Sequence, residues 1–293
     1  MAFGFKAVDE VGVTLNTALV VVGDKLGYHT TMAAGPVTPA QLAAATGTGE
    51  PYAREWLNAH VLLAARNHAG LGWHEHHADV HDGCERFFRT MYNAHLVGEW
   101  LPALDGVVEK LERGATVADV GCGYGASTVI MAQAFPNSTF IGFDYHEASI
   151  EAARSRAVEA GVADRVRFEV AAATQFPGAG FDLVTTFDAL HDMGDPVGAG
   201  RHVRAALAPE GTWMVVEPMA GDSVSDNLNP VGRAYYGFST LLCTPSSLAQ
   251  EVGLALGTQA GPARIRDVVT TSGFTRFASV AQTPFNRVFE IRL

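Results

Sequence analysis

The chain has 293 residues, of which 48% are hydrophobic and 17% charged, and its net charge is −11. This composition is typical of a globular protein, and the acidic balance argues against nucleic acid or anionic lipid as an electrostatic partner. The 3 cysteines form no CxxC pair, and no early apolar run is long enough for a signal peptide or a membrane span. We therefore expect a reduced, cytoplasmic protein with no membrane or nucleic-acid partner.

The front of the chain, residues 1–113, is predicted to be mostly helical. Residues 38–65 predict a helix, a turn and a second helix, because Thr38 can cap the first helix and Gln41 completes a capping box. Gly47 then interrupts the chain. The helical pattern is lost in a histidine-rich stretch at 70–84.

A long helix is expected from residue 87 to residue 111. Pro102 is predicted to kink this helix, and Gly114 to end it.

After Gly114 the pattern changes to alternating strands and helices. Strands are predicted at 116–120, 139–143, 166–170, 181–187 and 212–217, with helices at 127–135, 148–160 and 195–207. More helix follows at about 222–260, including one that begins at Thr244, and a strand pair closes the chain. The prediction is an α/β fold: a Rossmann-like, mainly parallel, seven-stranded sheet with an antiparallel last strand, at 114–293, behind the small helical domain.

The stretch "VADVGCGYGAST", residues 117–128, ends the first strand with glycines at alternate positions 121, 123 and 125. Glycine lacks a Cβ, so such a loop lets a ligand lie against the backbone. Its place between a strand and a helix puts it at the carboxyl edge of the sheet, where these folds bind ligands. A tight strand–helix turn without a ligand is the alternative.

Two acids narrow the choice of ligand. Asp119 lies inside the strand end and needs a hydrogen-bond donor, which a ligand ammonium or the amides of the loop would supply. Asp144 ends the next strand, where a carboxylate can accept both hydroxyls of a ribose. A dinucleotide would bring pyrophosphate near Asp119 and be repelled. A cation with a free ribose, such as S-adenosylmethionine, fits better.

The stretches "VADVGCGYGAS", "FIGFDYHEASIEAAR" and "FDLVTTFDALHDMGDP" resemble, in this order and spacing, the class I S-adenosylmethionine-dependent methyltransferases. The resemblance covers about residues 114–293. It implies that the loop lies under the methionine part of the cofactor, near Asp119, that Asp144 holds the ribose and that Tyr145 flanks the adenine. The implied cofactor-binding residues are Asp119, Gly121, Cys122, Gly123, Asp144, Tyr145, Ala173, Thr174 and Phe187. Many relatives carry an acid in the segment "AAATQFPG", and this chain has none there.

A candidate base is His191 in "ALHDMGD". The segment resembles the "LHDW"-like segment of O-methyltransferases, whose histidine is the base, and Glu217 corresponds to the carboxylate that orients it. A second orienting acid, expected shortly before residue 273, is not evident. The alternative is that His191 only caps the strand–helix junction together with Asp192.

The front end resembles the winged-helix region of small-molecule O-methyltransferases and of an actinobacterial-type methyltransferase group. The chain matches that group most closely in "GWHEHH" and "ERFF" of the front end and in "EVGLALG" and "DNLNPVGR" further along. In those proteins this region pairs subunits, which implies a homodimer. A β-hairpin, the wing, should follow Ala65, and none is visible in the sequence.

Histidines and aromatic residues supply further candidates. The histidine-rich cluster consists of His74, His76, His77 and His81 with Glu75 and Asp79. Its spacing matches no metal-ligand set, so we expect no metal and an interdomain or pocket-lining segment. Some aromatic residues of the helical segments should form an apolar acceptor pocket. These are Trp73, Phe87, Phe88, Tyr92, Tyr235, Tyr236 and Phe238.

The leading hypothesis is an S-adenosylmethionine-dependent methyltransferase that acts on a small molecule, with transfer to oxygen. One alternative keeps the cofactor but uses it structurally, for a cyclisation or rearrangement. A second is a DNA-binding regulator built on residues 38–65, whose second helix offers only Arg54 and Arg66 as cations for phosphate contacts.

Overall fold

The computed structural model describes residues 25–32, 37–50, 53, 70–76 and 78–293. At its centre lies a seven-stranded sheet in the order β3-β2-β1-β4-β5-β7-β6. The strands are β1 (Thr116–Val120), β2 (Thr139–Asp144), β3 (Val166–Val170), β4 (Phe181–Phe187), β5 (Leu207–Pro218), β6 (Arg276–Gln282) and β7 (Asn286–Arg292). Strands β1 to β5 pair in parallel, and β7 is antiparallel to both β5 and β6. The predicted sheet, including its closing strand pair, is confirmed.

Helices connect the strands and cover both faces of the sheet. In the described part the α-helices are α1 (Tyr28–Met32), α2 (Pro39–Thr46), α3 (Ala78–His95), α4 (Val107–Arg113), α5 (Ala126–Ala134), α6 (Glu147–Glu159), α7 (Pro196–Ala206), α8 (Pro230–Phe238), α9 (Thr244–Leu248) and α10 (Pro262–Thr271). Two π-helical turns, Leu96–Trp100 and Ser239–Cys243, and the 3₁₀ turns Trp73–Glu75, Leu190–Asp192 and Ser225–Asn227 complete the elements. No helix in these described ranges is both long and apolar enough to cross a bilayer.

Two apolar cores lie on opposite faces of the sheet. One includes Trp100, Met131 and Phe140, so α3, α4, α5 and the turn after α3 pack on this face. The other surrounds Trp213, with Val203 of α7 and residues of α10. Because both faces are covered, the parallel strands are apolar along most of their length, and this made them recognisable in the sequence.

The long helix predicted at 87–111 is wrong in two respects. Helix α3 already begins at Ala78, so the last residues of the histidine-rich stretch are helical; their polarity hid the start of the helix. The helix does not continue through Pro102, which lies in a turn between Trp100 and Val107. Proline has no N–H to donate, so here it separates two helices instead of kinking one. Gly114 caps α4 as predicted.

In the front region the capping box of α2 is confirmed. The Thr38 hydroxyl accepts from the Gln41 amide, and the Gln41 side chain accepts from the Thr38 amide. The second predicted helix and the expected place of the wing after Ala65 fall largely within residues 54–69, which lie outside the described residues. The winged-helix assignment and the domain boundary at 113/114 therefore stay predictions.

Candidate functional site

A cavity of about 660 Å³ opens at the carboxyl ends of β1, β2 and β4, and its volume is typical of small-molecule sites. Helix α3 covers one side of it, and residues between α8 and α10 cover another. Nine predicted site residues line it: Gly121, Cys122, Gly123, Asp144, Tyr145, Ala173, Thr174, Phe187 and His191. The residues predicted from separate segments of the sequence thus line one cavity.

The glycine loop forms the floor of the cavity. Gly121, Gly123 and Gly125 have φ angles of 76°, 51° and 75°, a region that side-chain-bearing residues rarely adopt. A Cβ on Gly121 would lie 2.8 Å from the Cβ of Ala189, whereas at Gly123 nothing lies within 4 Å. The backbone at Gly123 is therefore open to a ligand, as expected for a loop that binds one.

Asp144 lies in the cavity wall and ties two loops together. Its Oδ2 accepts from the Gly123 amide at 2.9 Å, and its Oδ1 accepts from the His146 amide at 2.9 Å. Burial raises the pKa of Asp144, and these two amides oppose that change. Each carboxylate oxygen keeps a further lone pair for a ligand hydroxyl. Next to it, the side chain of Tyr145 is 39% exposed and forms part of the wall.

Asp119 has a different environment from the one predicted. It is 1% exposed and is not among the residues that line the cavity. Its donors are hydroxyls: Ser127 at 2.7 Å and Thr128 at 2.6 Å on Oδ2, and Thr185 at 2.8 Å on Oδ1. Burial raises the pKa of Asp119, and the three hydroxyls oppose that change. Asp119 thus anchors the first turn of α5 to β1 and β4, and a ligand contact stays a prediction.

His191 and Glu217 are brought together as expected. Glu217 lies behind the cavity wall, where its Oε2 is 2.6 Å from Nδ1 of His191 and its Oε1 accepts from the Leu190 amide at 3.0 Å. On the other side of the ring, Nε2 lies 3.1 Å from Oδ1 of Asp192. Burial by itself lowers the pKa of His191, but Asp192 and Glu217 outweigh it, and the pKa is raised well above its ordinary value. The second carboxylate beside the imidazole is therefore that of Asp192, the residue next to the histidine, and not one from the segment before residue 273.

The predicted aromatic pocket is present in part. Trp73, Phe88, Tyr92 and Phe238 line the cavity, whereas Phe87, Tyr235 and Tyr236 do not. The thiol of Cys243 also faces His191 and Asp192, and donor atoms of these three residues lie within 4.8 Å of one another.

The histidine-rich cluster contributes His81 to the cavity wall, whereas His74 and His76 do not line it. The ring of His81 lies 4.8 Å from that of His146 and contacts the Trp73 carbonyl, and the ring of His74 lies 6.4 Å from Tyr145. Burial, followed by the charge of His81, lowers the pKa of His76. His77 and the side chain of Asp79 lie outside the described part. The pocket-lining expectation thus holds for His81, while His74 lies beside the wall residue Tyr145.

Sequence reasoning missed several acids of the wall, among them Glu85 and Asp188. Glu85 lies 2.6 Å from Arg156, whose guanidinium stacks over the ring of Tyr124 at 4.9 Å. This contact docks α3 on the glycine loop. Glu85 follows "DGC" on a helix whose start was not recognised, so nothing in the sequence marked it.

A family model described as "Methyltransferase domain" matches residues 111–244. The "27-O-demethylrifamycin SV methyltransferase" of Amycolatopsis mediterranei is 33% identical over 132 residues, which are 42% of this chain and 48% of that protein. The chain thus spans about half the length of this curated relative.

Two solved structures are similar along nearly the whole chain. "PigF with SAH" has a TM-score of 0.60 at 14% identity and covers 98% of both chains. The O-methyltransferase NcsB1 "from neocarzinostatin biosynthesis", in complex with S-adenosyl-L-homocysteine and 1,4-dihydroxy-2-naphthoic acid, has a TM-score of 0.58 at 17% identity and covers 94% of this chain and 95% of its own. At these identities the likeness establishes the fold.

Proposed function

We propose that the protein transfers a methyl group from S-adenosylmethionine to an oxygen of a small molecule, supported by the match of residues 111–244 to a methyltransferase domain model. The observation that carries the proposal is one cavity with two chemically different parts. The glycine loop and Asp144 lie at the ends of β1 and β2, and His191, held by Glu217, lies beyond the end of β4. A cofactor and an acceptor can therefore meet within it.

The residues of the first part fit this cofactor. Gly123 leaves its backbone open, Asp144 can accept from the ribose hydroxyls, and Tyr145 offers an aromatic face for the adenine. Ala173 and Thr174 lie in the wall where the adenine edge is expected. When bound, S-adenosylmethionine supplies an electrophilic methyl group on its sulfonium sulfur.

His191 is proposed to take the proton of the acceptor hydroxyl. The Glu217 carboxylate requires a donor, so it holds the proton on Nδ1 and leaves Nε2 as the basic atom. Asp192, whose side chain is 28% exposed, lies at Nε2, and the acceptor must replace it there. During transfer of the methyl group from sulfur to the acceptor oxygen, Nε2 of His191 would take the hydroxyl proton, so that the methylated acceptor is a neutral ether.

The aromatic and apolar wall supports an aromatic acceptor. Phe88, Tyr92, Phe238 and Leu242 contribute to it. The similar NcsB1 structure contains a hydroxylated naphthoic acid, which makes aromatic hydroxy compounds the first acceptors to screen. We further propose that the front region pairs two subunits, supported by its resemblance to winged-helix regions. A monomer in light scattering at micromolar concentration would contradict this.

The test has two stages. Calorimetry should detect binding of S-adenosylhomocysteine to the folded protein, and no binding would refute the cofactor assignment. A panel of phenols, carboxylic acids, amines and thiols is then incubated with methyl-labelled cofactor. A product heavier by one methylene unit excludes the non-methylating alternative.

With the best hydroxyl acceptor, His191→Ala should lower turnover by at least about a hundredfold at matched cofactor occupancy. His95→Ala, at the end of α3 and outside the cavity wall, serves as the matched control. A loss of less than about fivefold for His191→Ala would make this histidine a structural cap instead of the base.

A further inference from the structure

Asp188 is a buried carboxyl in the cavity wall that the proposed chemistry does not use. It directly follows β4, and its φ of 47° lies in the left-handed region. Aspartate adopts this region more often than most residues with a side chain. Here, however, the residue is only 9% exposed, so hydration of the carboxyl does not offset the cost of the conformation. Such a conformation persists where the surroundings enforce it, and it is concentrated at functional sites.

Two distant residues fix the carboxyl from outside the strand. The Tyr92 hydroxyl of α3 donates to Oδ2 at 2.8 Å, and the Asn286 amide of β7 donates to Oδ1 at 2.9 Å. Tyr92 is 7% exposed and Asn286 is fully buried. With one donor on each oxygen, the carboxyl is held in one orientation and keeps lone pairs for a further donor.

The sheet order assigns Asp188 to the acceptor part of the cavity. The glycine loop and Asp144 follow β1 and β2, on one side of β4. Asn286 belongs to β7, on the other side of β4 beyond β5, so its hydrogen bond draws the Asp188 carboxyl away from the cofactor residues. His191 follows Asp188 by three positions and lines the same cavity.

We propose that Asp188 anchors the acceptor by accepting a hydrogen bond from a second hydroxyl or amino group, next to the hydroxyl that is methylated. This inference rests on the proposed function and specifies its substrate class: aromatic acceptors with two neighbouring hydrogen-bond donors. Burial, followed by the charge of Glu217, raises the pKa of Asp188 to about 8. The carboxyl is therefore mostly uncharged near neutral pH and suits a neutral hydroxyl or amino group as its partner.

The test compares catechol with guaiacol, which differ by one donor because a methoxy group replaces one hydroxyl. Their affinities are measured by calorimetry at saturating S-adenosylhomocysteine, so that no turnover occurs. The wild type should bind catechol about fivefold to tenfold more tightly, the effect of one hydrogen bond to a buried, uncharged carboxyl. Asp188→Asn should remove this preference and leave the affinity for S-adenosylhomocysteine unchanged.

Asp188→Asn keeps the size of the side chain, and the Tyr92 hydroxyl can rotate to accept from the new amide, so the variant should fold. Tyr92→Phe, which removes one of the two fixing donors, should weaken the preference without abolishing it. Asp267→Asn, on the exposed face of α10, should keep it. Equal binding of the two probes by the wild type, including no binding of either, or a preference that survives in Asp188→Asn, overturns the assignment. If S-adenosylhomocysteine binds and labelled methyl is transferred, the proposed function still stands after that result.

Discussion

Replacing Asp188 with Asn should change how the stability of the protein depends on pH. Burial and the neighbouring Glu217 raise the pKa of this carboxyl from 3.8 to about 8. Between these values the folded protein holds a proton that the unfolded chain releases. The contribution of this proton to stability is therefore complete below about pH 4 and is lost as the pH rises towards about 8.

The size of the effect follows from the pKa. Each pH unit within this window costs the wild type about 1.4 kcal/mol, or about 4 kcal/mol between about pH 5 and about pH 8. Asparagine does not titrate, so the variant avoids this loss. Between about pH 5 and about pH 8, the unfolding free energy of Asp188→Asn should therefore rise by about 4 kcal/mol relative to that of the wild type.

Urea denaturation at a series of pH values measures this difference. The fluorescence of Trp100 and Trp213, both within the cores on the sheet, reports the unfolding of the domain. Asp267→Asn is the matched control, because its exposed carboxyl should leave the wild-type pH dependence unchanged. If the Asp188→Asn and wild-type curves stay parallel, Asp188 is ionised in the folded protein and the argument from burial is wrong.

Three further substitutions and one control test the site. Asp144→Ala should weaken S-adenosylhomocysteine binding in calorimetry by about 2 kcal/mol, because it removes a charge-assisted contact, and an unchanged affinity would mean that the ribose lies elsewhere. Gly125→Ala should lower stability by about 1–3 kcal/mol in urea denaturation, because its Cβ would meet an aromatic ring at 2.6 Å. Gly161→Ala, with a similar φ and nothing within 4 Å, should cost less, and equal losses would exclude the clash as the cause. Glu217→Gln should move the pH–rate profile to lower pH, because one of the carboxylates that raise the pKa of His191 is lost; an unmoved profile would contradict this.

The strands and the glycine loop could be predicted because their signals are local. Strand β4 has the predicted limits, and β1 does as well. Both are buried runs between turn residues, and such runs read clearly in a sequence. Gly121 and Gly123 likewise marked the loop by residue type alone, and both have a positive φ.

The partners of the buried acids could not be predicted because they are far away in the chain. Asp119 evidently needed a donor, but one of its donors, Thr185, lies 66 residues further on. The two donors to Asp188 are 96 and 98 residues distant. A sequence indicates that a carboxyl must be satisfied, whereas only the register of the sheet and the docking of α3 determine which hydroxyl or amide does so.

The same limit applies to the charge of His191. A histidine in an "LHD" segment suggests a base, but its basicity depends on the carboxylates that surround it. Here Glu217 and Asp192 favour the imidazolium, while Glu217 also makes ionisation of Asp188 more costly. The three groups share one buried region, so a proton removed from His191 changes the pKa of Asp188. An acceptor that displaces Asp192 from Nε2 also removes one of the charges that hold the proton there. Acceptor binding is therefore expected to lower the pKa of His191 and so prepare the base that methyl transfer to oxygen requires.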